Sequence, residues 1–280
     1  MLVFALTACQ EPTAADGNTV EDPSDEPVTA YAVGVTTDPA TPIAGEEAEL
    51  TLQVVDQLGR PIEDLQQSHE RMVHSLFISR DLASFQHVHH EDFAELDVEA
   101  LRQATFQFPI TFPAAGDTLA VFDFAHQNVY QQDTAWIEVV GDTAQLPSPE
   151  EDFSTEREVD GLHVTLTWDV EPYAEFEGAW TITITENGED VTDLTQWLGA
   201  DGHVAIVSAD LGFATHTHAW FPGMEEMGPG HEMPHLYAGP TLPFHYHFPV
   251  GGIYKMWVQF ARSDAPEVAY TAAFMFRVAG

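Results

Sequence analysis

The sequence predicts an all-β protein built from two tandem antiparallel β-sandwich domains. One observation is a long self-similarity at a fixed offset, and a second is a series of short segments that alternate apolar and polar residues. Gly- and Pro-containing turns separate these segments, a spacing typical of sandwiches. With 280 residues, of which 44% are hydrophobic, the chain is long enough and apolar enough for two cores.

Internal duplication is the strongest of these signals. "HSLFISRDLASFQHVH" (74–89) matches "HVAIVSADLGFATHTH" (203–218) without a gap, at an offset of 129. "FPAAG" (112–116) matches "FPVGG" (248–252) at an offset of 136, so the second copy holds seven additional residues between the two motifs. Similarity at a fixed offset indicates repeated structural units.

Each copy is expected to consist of short strands. "AELTLQVVD" (48–56) and "AWTITITEN" (179–187) alternate with period two and are followed by turns at Gly59 and Asn187-Gly188. Further strands are expected at 74–79, 118–125 and 134–141, and at 203–208, 253–261 and 272–280. The best helix candidate is 92–103.

Composition divides the rest of the chain. We expect repeat 1 at 30–141, a Pro- and Ser-containing acidic linker at 142–157, and repeat 2 at 158–280 with a Met/His-rich loop at 223–240. Residues 10–29 are acidic and lack large apolar side chains, so they predict a flexible tether.

The first nine residues, "MLVFALTAC", are similar to the end of a bacterial lipoprotein signal, with small residues before Cys9. We therefore expect lipidation at Cys9 and an exported, membrane-anchored protein of the periplasm or outer cell surface. No basic segment precedes the apolar stretch, so the signal looks truncated.

Charge and cysteine content exclude several classes. The formal net charge is −38, which disfavours nucleic acid and anionic lipid headgroups as partners. Cys9 is the single cysteine, so neither disulfides nor thiolate metal sites stabilise the repeats.

The repeated His-x-His pairs are candidate metal ligands. Residues i and i+2 of a strand share a face, so His87 with His89, and His216 with His218, present paired imidazoles. The better site is expected in repeat 2, with further ligands expected at His203, His245 and His247; the weaker candidates of repeat 1 are His74, His87, His89 and His90. The alternative is that these histidines brace loops by bonding backbone carbonyls or Asp81 and Asp210.

The loop of repeat 2 strengthens the metal hypothesis. Its candidate ligands are Met224, Met227, His231, Met233 and His235. Thioether sulfur favours Cu(I), and imidazole accepts either copper oxidation state. Copper is therefore the preferred cofactor, with zinc or calcium as alternatives.

Catalytic motifs are scarce. The string His231-Glu232-Met233-Pro234-His235 formally matches a zinc-protease motif, but Pro234 opposes the helix that the motif needs. We expect no enzymatic activity, and a metal-dependent enzyme is the weakest of three hypotheses.

The segment "DLASFQHVHHEDF" followed by "FPAAGDTLAVFDFA" resembles exported bacterial domains with a D-L-x-x-F-x-H-V-H-P signature. These are treated as YtkA-like or immunoglobulin-like sandwiches and are often linked with heavy-metal handling. The chain departs from the signature at His90 and Ala219, where the pattern has proline.

The leading hypothesis is an exported lipoprotein that binds copper for sequestration or delivery, with a copper donor or acceptor protein as partner. The alternative is a non-catalytic surface or adhesion module with structural histidines.

Overall fold

The computed structural model describes residues 31–141, 152–224 and 227–280. Cys9, the tether at 10–29, most of the linker, and Glu225 and Glu226 lie outside the described residues.

Repeat 1 forms a three-stranded and a four-stranded antiparallel sheet. The first has the order β1-β2-β5 and the second the order β4-β3-β6-β7. The strands are β1 Tyr31–Asp38, β2 Glu47–Asp56, β3 Val73–Ser79, β4 Phe85–Val88, β5 Thr105–Thr111, β6 Gly116–His126 and β7 Val129–Val139.

Repeat 2 follows the same plan. One sheet contains β8, β9, β10, β11 and β15, and the other contains β12, β13, β14, β16 and β17. The strands are β8 Glu156–Val159, β9 Leu162–Val170, β10 Phe176–Glu186, β11 Glu189–Asp190, β12 Leu194–Thr195, β13 His203–Ser208, β14 Ala214–His218, β15 Thr241–Phe248, β16 Gly252–Arg262 and β17 Ala265–Val278.

The predicted fold class is confirmed. Each repeat is an immunoglobulin-like sandwich of two antiparallel sheets. In repeat 1, β4 pairs with β3 at the edge of the four-stranded sheet. The predicted helix is shorter than expected. A 3₁₀ turn covers His90–Asp92, and α1 spans only Val98–Gln103, because the Asp97 carboxylate caps its first turn by accepting from the Ala100 amide at 2.7 Å.

Alternation along the strands explains the two sandwich cores. In β2, Leu50, Leu52 and Val54 are fully buried while the residues between them are partly exposed. The matching strand of repeat 2, β10, buries Trp180, Ile182 and Ile184 in the same way. One face of each of these sheets therefore packs on a core and the other meets solvent.

The central strands β3 and β13 do not alternate, and nearly every residue in them is buried. One face of β3 carries Phe77 into the core of repeat 1, and its other face carries Leu76 and Ile78 into a second cluster shared with Ala205 and Val207 of repeat 2. The four-stranded sheet of repeat 1 therefore packs face to face on the five-stranded sheet of repeat 2 that contains β13, and the described residues form four stacked sheets.

The repeated Asp-Leu pair builds a turn. In repeat 1 the Ser79 hydroxyl donates to Asp81 at 2.6 Å, and Leu82 adopts a left-handed φ of 59°. In repeat 2 Ser208 donates to Asp210 at 2.6 Å, and Leu211 has a φ of 58°. Asp81 and Asp210 bond these turns and not the histidines.

Candidate metal centre

Seven histidines meet where the two repeats pack together. His74 lies on β3, His87 on β4, and His89 directly after it; the matching residues of repeat 2 are His203 on β13 and His216 and His218 on β14. On β3 and β13 each histidine shares the face that points toward the other repeat. The seventh, His69, precedes β3 and stacks on His218, with ring centroids 3.7 Å apart.

The first triad, His74, His87 and His89, is the tightest part of the cluster. His74 Nδ1 lies 3.1 Å from His87 Nε2 and 3.0 Å from His89 Nε2. The last two nitrogens are also 3.0 Å apart. His74 and His89 are 3% and 0% exposed, so water does not separate the three rings.

Hydrogen bonds at the outward nitrogens, the ring nitrogens that do not face the other two rings, decide which nitrogen of each ring carries the proton. Each outward nitrogen faces an oxygen that can only accept a hydrogen bond, so the ring proton is on that nitrogen. The acceptors are Ser68 O at 3.0 Å from His74 Nε2, Gln259 Oε1 at 2.9 Å from His87 Nδ1, and Asp92 Oδ2 at 2.9 Å from His89 Nδ1.

The inward nitrogens therefore all carry lone pairs when the rings are neutral. Three lone pairs at 3.0–3.1 Å cannot hydrogen-bond one another. A metal–nitrogen bond of about 2.0–2.1 Å in tetrahedral geometry separates two ligand nitrogens by roughly 3.3 Å, close to the spacing found here. The triad thus has the donor atoms and the spacing to hold a cation.

The second triad, His203, His216 and His218, is more open. His203 Nδ1 lies 3.3 Å from His216 Nε2, while His203 Nε2 donates to the Trp197 carbonyl at 2.7 Å. His218 Nε2 is buried and has no hydrogen-bond partner. His203 therefore braces the preceding loop, as the loop-bracing alternative expects, and still presents a lone pair inward.

Each repeat supplies an outer partner to the other repeat's triad. Gln259 on β16 accepts from His87, and Asp123 on β6 lies 3.4 Å from His216 Nδ1. Asp123 pairs with His74 in the sheet register, and Gln259 occupies the same register position opposite His203. The two residues are therefore equivalent positions of the duplication, and both triads require the packed interface.

Burial disfavours the charged form of six of the seven rings. It lowers the pKa of His74, His87, His203 and His218 well below 6.5, and neighbouring histidines lower it further. Burial is also the main reason that the pKa of His69 falls to about 3, with His216 as the second cause. It raises the pKa of Asp123, although the contact with His216 opposes that rise.

A cavity of about 360 Å³ borders the cluster. His69, His74, His216 and His218 form part of its wall, and Asp123 lies beside them. Three thioether side chains also line this cavity: Met224, Met227 and Met233. The Met-containing loop of repeat 2 therefore shares a cavity with the histidines, which its position in the sequence alone did not reveal.

Other predicted site residues lie elsewhere. His245 and His247 are on β15, which belongs to the opposite sheet of repeat 2. His245 lines a second cavity with His218, Met224 and Met227, but neither histidine joins a triad. His245 contacts Glu177 at 3.3 Å, and His247 donates to the Glu175 carbonyl. The other predicted histidine ligands form hydrogen bonds outside the cluster: His90 with the Gln107 carbonyl, His231 with the Gly228 carbonyl, and His235 with the Asp201 carboxylate.

Sequence reasoning missed four contributors: His69, Asp92, Asp123 and Gln259. Asp92 follows His89 by three residues, a spacing that could have suggested a paired carboxylate. Asp123 interrupts an apolar strand at the position that Gln259 occupies in repeat 2, a polar pair inside two buried strands. His69 gave no comparable signal, because repeat 2 has Leu198 at that position.

The fold and the cluster define a tandem immunoglobulin-like sandwich protein with a buried polyhistidine centre at its interdomain interface. The chain belongs to the family described as Domain of unknown function (DUF8832), whose model matches residues 28–141 and 157–280. The two matches agree with the duplication. A comparison with curated sequences finds no match.

Solved structures are similar only at a coarse level. The Escherichia coli adhesin FdeC is 14% identical, with 90% of this chain and 66% of that chain covered and a TM-score of 0.27. A putative membrane-anchored protein from Corynebacterium diphtheriae is 13% identical over 89% of this chain and 59% of that chain, with a TM-score of 0.24. The integrin-binding protein invasin is 12% identical over 88% and 39%, with a TM-score of 0.24. The chain spans less than two thirds of each of these proteins.

Among the described residues, no helix combines the length and the apolar character needed to cross a membrane.

Proposed function

We propose that this protein binds a transition metal, preferentially copper, at the interface between its two repeats. The observation that carries the proposal is the convergence of three imidazole lone pairs on one point, each held in its tautomer by an outer acceptor. Buried polar groups without partners are costly, and a cation that accepts all three lone pairs removes that cost.

Copper is favoured by the surroundings of the triad. Neutral imidazole suits copper, zinc and nickel, whereas thioether sulfur selects Cu(I). Met224, Met227 and Met233 line the cavity that leads to the histidines, so a soft ion would meet soft donors before reaching the cluster. The resemblance of the D-L-x-x-F-x-H-V-H signature to metal-linked YtkA-like domains supports the same ion.

The task proposed for the bound ion is sequestration or delivery by an exported lipoprotein anchored through Cys9, with a copper donor or acceptor protein as partner. A buried ion whose ligands also join two domains is suited to retention more than to turnover.

The test is a titration of the metal-free full chain carrying Cys9→Ser, which removes the thiol as a competing Cu(I) ligand. Cu(I), Cu(II), Zn(II) and Ca(II) are each added against chelators. His89→Ala removes a ligand of the first triad, and His90→Ala is the matched control on the adjacent residue, which bonds the Gln107 carbonyl instead.

We expect tight copper binding by the parent and by His90→Ala, and a loss in His89→Ala well beyond the ~10–100-fold that follows removal of an outer partner. Equal binding by all three proteins, or binding no tighter than that of scattered surface carboxylates, would overturn the proposal and leave a surface module with structural histidines.

A further inference from the structure

We propose that the chain holds two metal ions, one in each repeat, and that His203, His216 and His218 bind the second. This inference rests on the proposed function, because it assumes that the first triad binds metal.

The ring arrangement of the two triads is nearly the same. Ring centroids of His74, His87 and His89 are separated by 5.4, 4.7 and 4.5 Å. The corresponding separations among His203, His216 and His218 are 5.4, 4.7 and 4.7 Å. A duplication that retains the positions of three rings retains the shape of a binding site.

An unpartnered atom marks the second triad independently. His218 Nε2 is buried without a hydrogen-bond partner, and Asp123 Oδ2, which is also buried, lies 3.4 Å from His216 Nδ1. The Trp197 carbonyl holds the proton of His203 on Nε2, and the carboxylate of Asp123 favours the proton of His216 on Nδ1. Lone pairs on His203 Nδ1 and His216 Nε2 therefore face each other at 3.3 Å, where neither can donate.

A single ion does not satisfy both triads. The ligand atoms of His87, His203 and His216 lie within 4.8 Å of one another, so the two sites adjoin. Each neutral imidazole ring offers one lone pair, and that of His87, on Nε2, points at His74 and His89. If one ion occupied the first triad, the lone pairs of His203, His216 and His218 would remain without a partner.

Charge balance favours monovalent ions. Beside the first triad, Asp92 and Glu91 oppose Arg71, which leaves one net negative charge. Beside the second, a bound cation favours the ionised form of Asp123, which then supplies one negative charge. Two monovalent ions match these two charges, whereas two divalent ions would leave a net charge of about +2 in a buried site, at high cost. Cu(I) is the monovalent ion that imidazole and thioether surroundings favour.

The experiment counts ions. The Cys9→Ser chain is loaded with Cu(I) under reducing conditions, freed of excess by a chelator, and analysed for metal per chain. The variants are His89→Ala, His218→Ala and the double substitution, with His90→Ala and His247→Ala as controls outside the cluster. Thermal unfolding of each metal-free variant shows that it is folded.

We expect two ions in the parent and in both controls, one ion in each single variant, and none in the double variant. One ion in the parent would overturn the two-ion inference and leave the proposed function standing. No ion in the parent would overturn both. Two Zn(II) ions held as tightly as two Cu(I) ions would contradict the charge argument.

Discussion

The two histidine triads descend from one sequence, but only one has a complete outer shell. His89 donates to Asp92, which Arg71 holds in place at 3.1 Å. At the equivalent positions of repeat 2 stand Phe221 and Ala200, so His218 has no carboxylate and instead stacks on His69. The difference teaches that duplication preserved the positions of the histidines while the groups that orient them diverged.

The comparison also reverses an expectation. The Met/His-rich loop suggested that repeat 2 contains the better site, yet the shorter nitrogen–nitrogen distances are those of the triad in repeat 1, and all three of its rings have an outer acceptor, one of which, Gln259, comes from repeat 2. The loop contributes differently, because its methionines line a cavity that is also bordered by histidines of both repeats.

The largest expected effect is an acid-induced loss of stability in the metal-free protein. Burial lowers the pKa of His218 well below the value of 6.5 expected in the unfolded chain, so between these values the unfolded state binds more protons. Stability is therefore retained above about pH 6.5 and falls as the pH decreases, by up to ~1.4 kcal/mol per histidine and pH unit.

The two repeats should differ in this respect. Asp92 and Glu91 partly offset the effect of burial on the pKa of His89, whereas His218 lacks such carboxylates. Chemical denaturation from pH 7.5 to 5 should therefore show a flatter acid loss in His218→Ala than in His89→Ala. If the free energy of unfolding fell equally steeply with pH in both variants, His89 and His218 would not differ in their contribution to the acid loss.

A smaller effect is expected from the outer carboxylate. Asp92→Asn weakens the acceptor of His89 and should reduce the affinity of the first site by ~10–100-fold. Phe221→Ala alters the equivalent position of repeat 2, where no such acceptor exists, and should leave the affinity of that site within a few fold. Chelator competition with each variant measures both, and an unchanged Asp92→Asn affinity would deny the carboxylate its role.

The smallest effect concerns the Asp-Leu turns, which the repeats share. Asp81→Ala and Asp210→Ala each remove the carboxylate that accepts a hydrogen bond from a serine hydroxyl. Each substitution should lower the free energy of unfolding by a similar amount, ~1 kcal/mol. Copper affinity should not change, because neither carboxylate contacts a histidine of the cluster. A large loss of affinity in either variant would show that the turn positions the ligands.

Much of the architecture was predictable from local patterns. The offset of 129 predicted the duplication, and alternation in segments such as 48–56 predicted strands with one buried face. The His-x-His pairs were predictable as candidates because strand geometry places i and i+2 on one face. The sequence could not rank the candidates, since His245-x-His247 has the same local pattern and lies on another sheet.

The sequence by itself determined the two sandwiches, their turns and the same-face histidine pairs, because these depend on residues close together in the chain. Only the tertiary structure decided that the sheet containing β3 packs against the sheet containing β13, since nearly continuous burial of these two strands does not specify which surface covers them. That packing brings Gln259 to His87 and Asp123 to His216, partners separated by more than ninety residues. Those long-range contacts set the tautomers of His87 and His216, whereas the tautomers of His74, His89 and His203 depend on acceptors close to them in the chain.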